Sequence, residues 1–162
     1  MKYIYTTLIC FIFLGCSTSN QSIIKSDDEL TAKIVSSFES YKSNDFTFFD
    51  QYSDDVISRI NNTIIEGKDN ILNAWKSHHD FLYQDINIKD LYVHTNYFSD
   101  GTIWSNAWFT WTGKGQTTGT DYSNRGHFDY KWEDGKIVEV LAYFSETVDN
   151  TEIAAYNANT KE

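Results

Sequence analysis

The chain has 162 residues, 17% of them aromatic, with no proline and a formal net charge of −10. That length suits one domain with a real core, and the acidic balance argues against a nucleic-acid or basic membrane-binding face. Both cysteines, Cys10 and Cys16, lie in the first sixteen residues, so the rest of the chain can hold no disulfide and no thiolate metal site.

The first residues are a different material from the rest. Lys2 precedes an apolar run, Ile4 to Leu14, followed by Gly15-Cys16. The run is too short to span a bilayer and has the layout of an export signal. A small residue before cysteine, then Ser17-Thr18-Ser19-Asn20, resembles a bacterial lipoprotein lipobox. The resemblance implies removal of residues 1–15, lipidation of Cys16 and a chain held at the membrane of the bacterial cell envelope. Residues 16–27 then read as a polar tether.

Ser26 followed by Glu29 fits a capping box, and Leu30, Ile34, Phe38 and Tyr41 form one apolar helical stripe. Asn44-Asp45 breaks it, and Asp45 can cap a second short helix carrying Phe46, Phe49 and Tyr52. A strand is expected over 56–60, with a turn at Asn61-Asn62 and a brief extended piece at Ile64-Ile65. A third helix follows Gly67, with Ile71, Trp75, His78 and Leu82 on one stripe. Extended segments are expected over 86–95, 102–112 and 116–121, with a turn at Asp100-Gly101. The clearest hairpin runs from Gly126 to Ser145 and turns at Asp134-Gly135, a type I′ signal. Residues 148–162 read as a polar tail, with one helical turn at most over 153–156. The fold class is therefore α+β, with three N-terminal helices packed on one face of a mostly antiparallel sheet.

Several stretches together resemble one superfamily. They are the Gly67-Lys68-Asp69-Asn70-Ile71 opening of the third helix, the Trp111-Thr112-Gly113 strand end and the Asp134-Gly135-Lys136-Ile137 hairpin. With the tryptophan-rich strand 104–111, they resemble the SnoaL-like, or nuclear transport factor 2-like (NTF2-like), superfamily over residues 28–147. The resemblance implies a cone-shaped, curved sheet with a cavity between helices and sheet. It also implies isomerase, cyclase or dehydratase chemistry in some members and none in others, so fold alone does not settle function. Where ketosteroid isomerases of the superfamily carry a strand carboxylate, this chain reads Val56 to Asn61 with none. The place of a cyclase aspartate falls at Ser145, which cannot act as a base unaided.

Parity places Trp104, Asn106, Trp108 and Thr110 on one strand face and Ile103, Ala107, Phe109 and Trp111 on the other. The expectation is that Trp104, Asn106 and Trp108 line the cavity with Trp75, His78 and Tyr143. Phe109 and Trp111 would then face a second copy of the chain in a homodimer. The leading reading is a non-catalytic domain that binds a small apolar or aromatic molecule, with no cofactor and no metal. An enzyme of lyase or isomerase type would use His127 with Asp129 or Tyr143. A protein-interaction module would use the outer sheet face.

Overall fold

The cap of the first helix is Asp28, two residues after the expected Ser26. Its Oδ1 accepts from the Thr31 N–H at 2.9 Å, and an anionic cap at a helix N-terminus also complements the helix dipole. This computed structural model describes residues 21–160; Cys16 and the expected export signal lie outside them. Helix α1 (Glu29–Lys42) buries Ile34, Phe38 and Tyr41 along its stripe. Asn44, at φ 57°, turns the chain out of it. The expected second helix is a single 3₁₀ turn, Thr47–Gln51, because strand β2 (Tyr52–Ile60) takes over the chain immediately.

Strand β1 (Ile23–Lys25) occupies part of the expected tether and pairs with β4. Strands β2 and β3 (Thr63–Glu66) form a hairpin turned at Asn61, whose φ is 48°. Gly67, at φ 85°, admits the chain to helix α2 (Lys68–Ser77) in a conformation that favours glycine. Helix α2 ends in a π turn over His78–Leu82. Such turns carry an extra residue and shift side chains around the helix axis. Long strands β4 (Tyr83–Tyr97), β5 (Ile103–Gly115), β6 (Asp121–Glu133) and β7 (Lys136–Tyr143) follow. Residues 116–120, expected as extended, form the β5–β6 turn. Helix α3 (Thr147–Asn159) stands where a polar tail was expected. The described helices are therefore two near the N-terminus and one at the C-terminus, a correction to three N-terminal helices.

The strands form one seven-stranded sheet in the order β1-β4-β5-β6-β7-β2-β3. All pairs are antiparallel except β2 with β7, which is parallel. Ala107, Phe109, Phe128, Tyr130, Trp132, Val140 and Ala142 point from the sheet into a core completed by Ile34, Phe38, Tyr41 and Ile71 of the helices. At one end of that face a buried polar chain runs across the layers. Thr31 Oγ1 meets Thr95 Oγ1 at 2.9 Å, Thr95 meets Ser105 at 2.8 Å, and Trp132 Nε1 donates to Ser105 Oγ at 2.9 Å. Each buried hydroxyl thereby finds a partner, which removes the desolvation penalty of leaving it bare.

Candidate functional site

The helix-covered face of the sheet is not filled to its far end. Between α1, α2, α3 and strands β5, β6 and β7 lies a cavity of about 280 Å³, a size that takes a small organic molecule. Its walls are largely rings and aliphatic groups: Phe38, Trp75, Phe109, Trp111, Phe128 and Phe144, with Ile60, Leu82, Val140 and Ile153. Two glycines shape those walls. A Cβ at Gly126 would lie 2.6 Å from the Phe109 ring, and one at Gly113 would lie 2.6 Å from the Trp111 indole. Each ring lies over backbone that only glycine leaves bare.

One end of the cavity is polar and tightly wired. Trp111 Nε1 donates to the Tyr41 hydroxyl at 3.2 Å, and that hydroxyl lies 2.9 Å from His78 Nδ1. An indole N–H can only donate, so the Tyr41 oxygen accepts from Trp111, and the hydroxyl proton is assigned to His78 Nδ1, the acceptor this network offers it. Burial pushes the Tyr41 phenol well up, which keeps that proton in place. This network assigns the imidazole proton to Nε2. Burial lowers the His78 pKa, the Asp149 charge raises it and neighbouring His79 lowers it again; the net shift is downward from 6.5. His78 is thus a neutral ring held in one tautomer, with its Nε2–H as a fixed donor.

Replacing Tyr41 by phenylalanine leaves Trp111 Nε1 and His78 Nδ1 without their shared partner. The expected cost is about 1–3 kcal/mol. The His78 ring should also lose its tautomer preference, which the ¹⁵N chemical shifts of the two ring nitrogens would report. Unchanged shifts would refute the relay.

Helix α3 closes the same end. Asp149 lines the cavity and accepts from the Tyr83 hydroxyl at 2.6 Å; Glu146, Val148, Asn150 and Ile153 also line it. The helix is anchored by Glu152, which is fully buried and accepts from the Thr117 N–H at 2.6 Å, the Thr118 N–H at 3.1 Å, Thr118 Oγ1 at 2.7 Å and the Tyr122 hydroxyl at 3.2 Å. Gly115 makes room for this carboxylate, since a Cβ there would collide with it.

Trp75 and His78, named from the sequence, stand in the cavity wall. The other named residues do not. Trp104, Asn106, Trp108, His127, Asp129 and Tyr143 lie on the opposite, outer face, and it is Phe109 and Trp111 that face inward, the reverse of the expected parity. On the outer face Tyr92, Trp108, His127 and Tyr143 form one row across four strands. His127 stacks on Trp108 at 4.4 Å, and His94 covers the other side at 5.2 Å. His127 Nε2 approaches Asp129 Oδ1 at 2.9 Å but off the direction of a hydrogen bond. Asp129 Oδ1 also accepts from Asn106 Nδ2. Sequence reasoning missed Tyr41, Trp111, Asp149 and Glu152. Among the described residues, no three His, Cys, Asp or Glu side chains gather as a metal site would need.

No protein-family model and no curated protein matches the chain. Solved structures do. An isomerase candidate from Bacillus subtilis is 16% identical, covers 76% of this chain and 91% of its own, and has a TM-score of 0.62. A polyketide cyclase candidate from Xanthomonas campestris is 20% identical over 77% of this chain and 94% of its own, also at 0.62. An NTF2-like protein from Anabaena variabilis is 17% identical over 72% of this chain and 86% of its own, at 0.58. At such identities the likeness is one of fold.

Proposed function

Because this chain has the fold of the SnoaL-like, NTF2-like proteins, we propose that it binds a small, mostly apolar ligand in its aromatic cavity. The observation that carries the reading is the cavity itself: about 280 Å³, ring-walled, with a wired polar group at one end. Apolar walls supply affinity and a few placed polar groups supply orientation. We further propose that lipid on Cys16 holds the domain at the bacterial envelope and that the domain acts without catalysis. Native mass spectrometry of protein purified from its own envelope tests the binding; a small molecule should leave with the protein and disappear in Trp75→Ala. Protein that never carries one, and that no apolar compound stabilises thermally, would refute it. The Cys16→Ser variant should leave the membrane fraction.

A second reading, an enzyme of lyase or isomerase type, is favoured by one observation. The His78 donor and the Asp149 carboxylate line the same cavity, whereas His127 and Asp129 lie outside it. Deuterium uptake from D₂O into a bound ligand, lost in His78→Phe, would support that reading over simple binding. The outer aromatic row is a further proposal, as the contact with a second copy. Sedimentation should then show a dimer that Trp108→Glu dissociates.

A further inference from the structure

The charge around the cavity is one-sided. Two carboxylates, Asp149 and Glu146, line it, and among the described residues no lysine or arginine does. His78, the basic side chain among the described residues of the wall, has its pKa lowered from 6.5 by burial and is neutral at pH 7. The N-terminus of α3 contributes about +0.5 charge there, which the two carboxylates outweigh. The remaining wall offers ring faces, those of Phe38, Tyr41, Trp75, Phe109, Trp111 and Phe128. Ring faces are negative and attract a cation within about 6 Å of the centroid, tryptophan most strongly. An anion entering would meet two like charges in a poorly solvated space. A neutral hydrocarbon would give neither carboxylate a counter-charge, Asp149 keeping only the Tyr83 hydroxyl.

We propose that the ligand is an apolar amine bound as its ammonium ion, with its carbon skeleton against the rings and its charge toward Asp149 and Glu146. The proposal rests on the ligand-binding reading above and narrows it to one chemical class. Asp149 is the better placed of the two carboxylates. The Tyr83 hydroxyl at 2.6 Å holds its Oδ1, and the ammonium is assigned to Oδ2.

Three probes of nearly one shape separate the outcomes: phenyltrimethylammonium, its uncharged carbon isostere tert-butylbenzene, and 4-tert-butylbenzoate. Calorimetric titration into the intact protein should show the cation binding at least about tenfold tighter than tert-butylbenzene and the benzoate most weakly. A tenfold ratio corresponds to about 1.4 kcal/mol. Added salt should weaken the cation and leave tert-butylbenzene unchanged. Asp149→Asn retains the acceptor for Tyr83 and should reduce the cation's advantage several-fold. Glu146→Gln, a change at the rim, should reduce it less. Melting curves check that both variants fold. Equal binding of the cation and its isostere would overturn the amine proposal while leaving the cavity a binding site. Tightest binding of the benzoate would overturn it too. Binding of none of the three would remove the binding reading and this proposal together.

Discussion

Replacing Glu152 by alanine is expected to free α3 from the body of the domain and to cost about 3 kcal/mol. Glu152 is the only buried residue of that helix, and four donors from the β5–β6 turn and Tyr122 converge on its carboxylate. Truncation strips two backbone N–H groups and two hydroxyls of a charged acceptor, and each buried group left bare costs about 1–3 kcal/mol. Water reaching the loosened site would recover part of this. The remaining contacts of α3 are slight, chiefly the Tyr156 ring on Phe81 at 4.7 Å and Asp149 on Tyr83. Amide hydrogen exchange should therefore rise across 147–159 while β4 to β7 stay protected, and limited proteolysis should cut near 146. Unchanged protection of α3 would refute the latch.

The same group sets an acid limit. Burial alone would raise the Glu152 pKa, but the hydrogen bonds from Thr118, Thr117 and Tyr122 outweigh it and hold the pKa below 4.5. A carboxylate with a depressed folded pKa contributes stability above its unfolded pKa and loses it as pH falls through the folded one. Docking of α3 should thus be intact above about pH 5 and weaken progressively below 4.5. His78 acts in the same direction at higher pH. Its folded pKa lies below 6.5, so the unfolded state takes up its proton first, and stability falls as pH drops below that value. In the Glu152→Gln variant the exchange of α3 should lose its dependence on pH below 4.5, while Asp28, whose pKa is also lowered, still contributes to global acid unfolding.

Phe128→Ala should be the most damaging single change in the cavity wall. The ring packs edge-on to Phe109 at 5.0 Å and to Trp75 at 5.7 Å, and also meets Phe38 at 6.4 Å. It is therefore both core and wall. Large-to-small changes of buried phenylalanine cost about 3–5 kcal/mol, here with no ready collapse because the space beside it is already open. For a domain of this size the midpoint of thermal unfolding should drop by about 10–15 °C. The enlarged cavity should still accept an apolar probe such as tert-butylbenzene, which would restore part of the lost stability by binding only the folded form. A midpoint within two or three degrees of the parent would show that the ring is dispensable.

What could be read in the sequence was local. The α1 stripe and the Asp134-Gly135 turn are set by residues a few positions apart, and both stand in the structure. Strand parity was legible too, but not which face turns inward. Strand β5 carries tryptophan on both faces, so alternation fixes two sets of residues without ranking them. A cross-strand clue existed: Gly126 pairs with Phe109, and a glycine opposite a large ring marks where that ring folds over the sheet. Helix α3 could not be read from periodicity, because its outward faces are polar and its anchor is a single glutamate. The partners of that glutamate lie thirty or more positions away along the chain. Asp149 was hidden for the same reason.

The parallel pairing of β2 with β7 has a kinetic consequence. Ile57 finds Glu139 and Ile60 finds Ala142 across the sheet, so β2 cannot complete its edge until nearly the whole chain has been made. The loop that closes this contact is long, and its entropy must be met before β2 and the β3 hairpin gain their ladder. Folding should accordingly begin in the consecutive β4–β7 meander and seat the N-terminal hairpin last. A chain emerging from the ribosome could form the β2–β3 hairpin but would keep the other edge of β2 unpaired until β7 is made, leaving that edge open to chaperones.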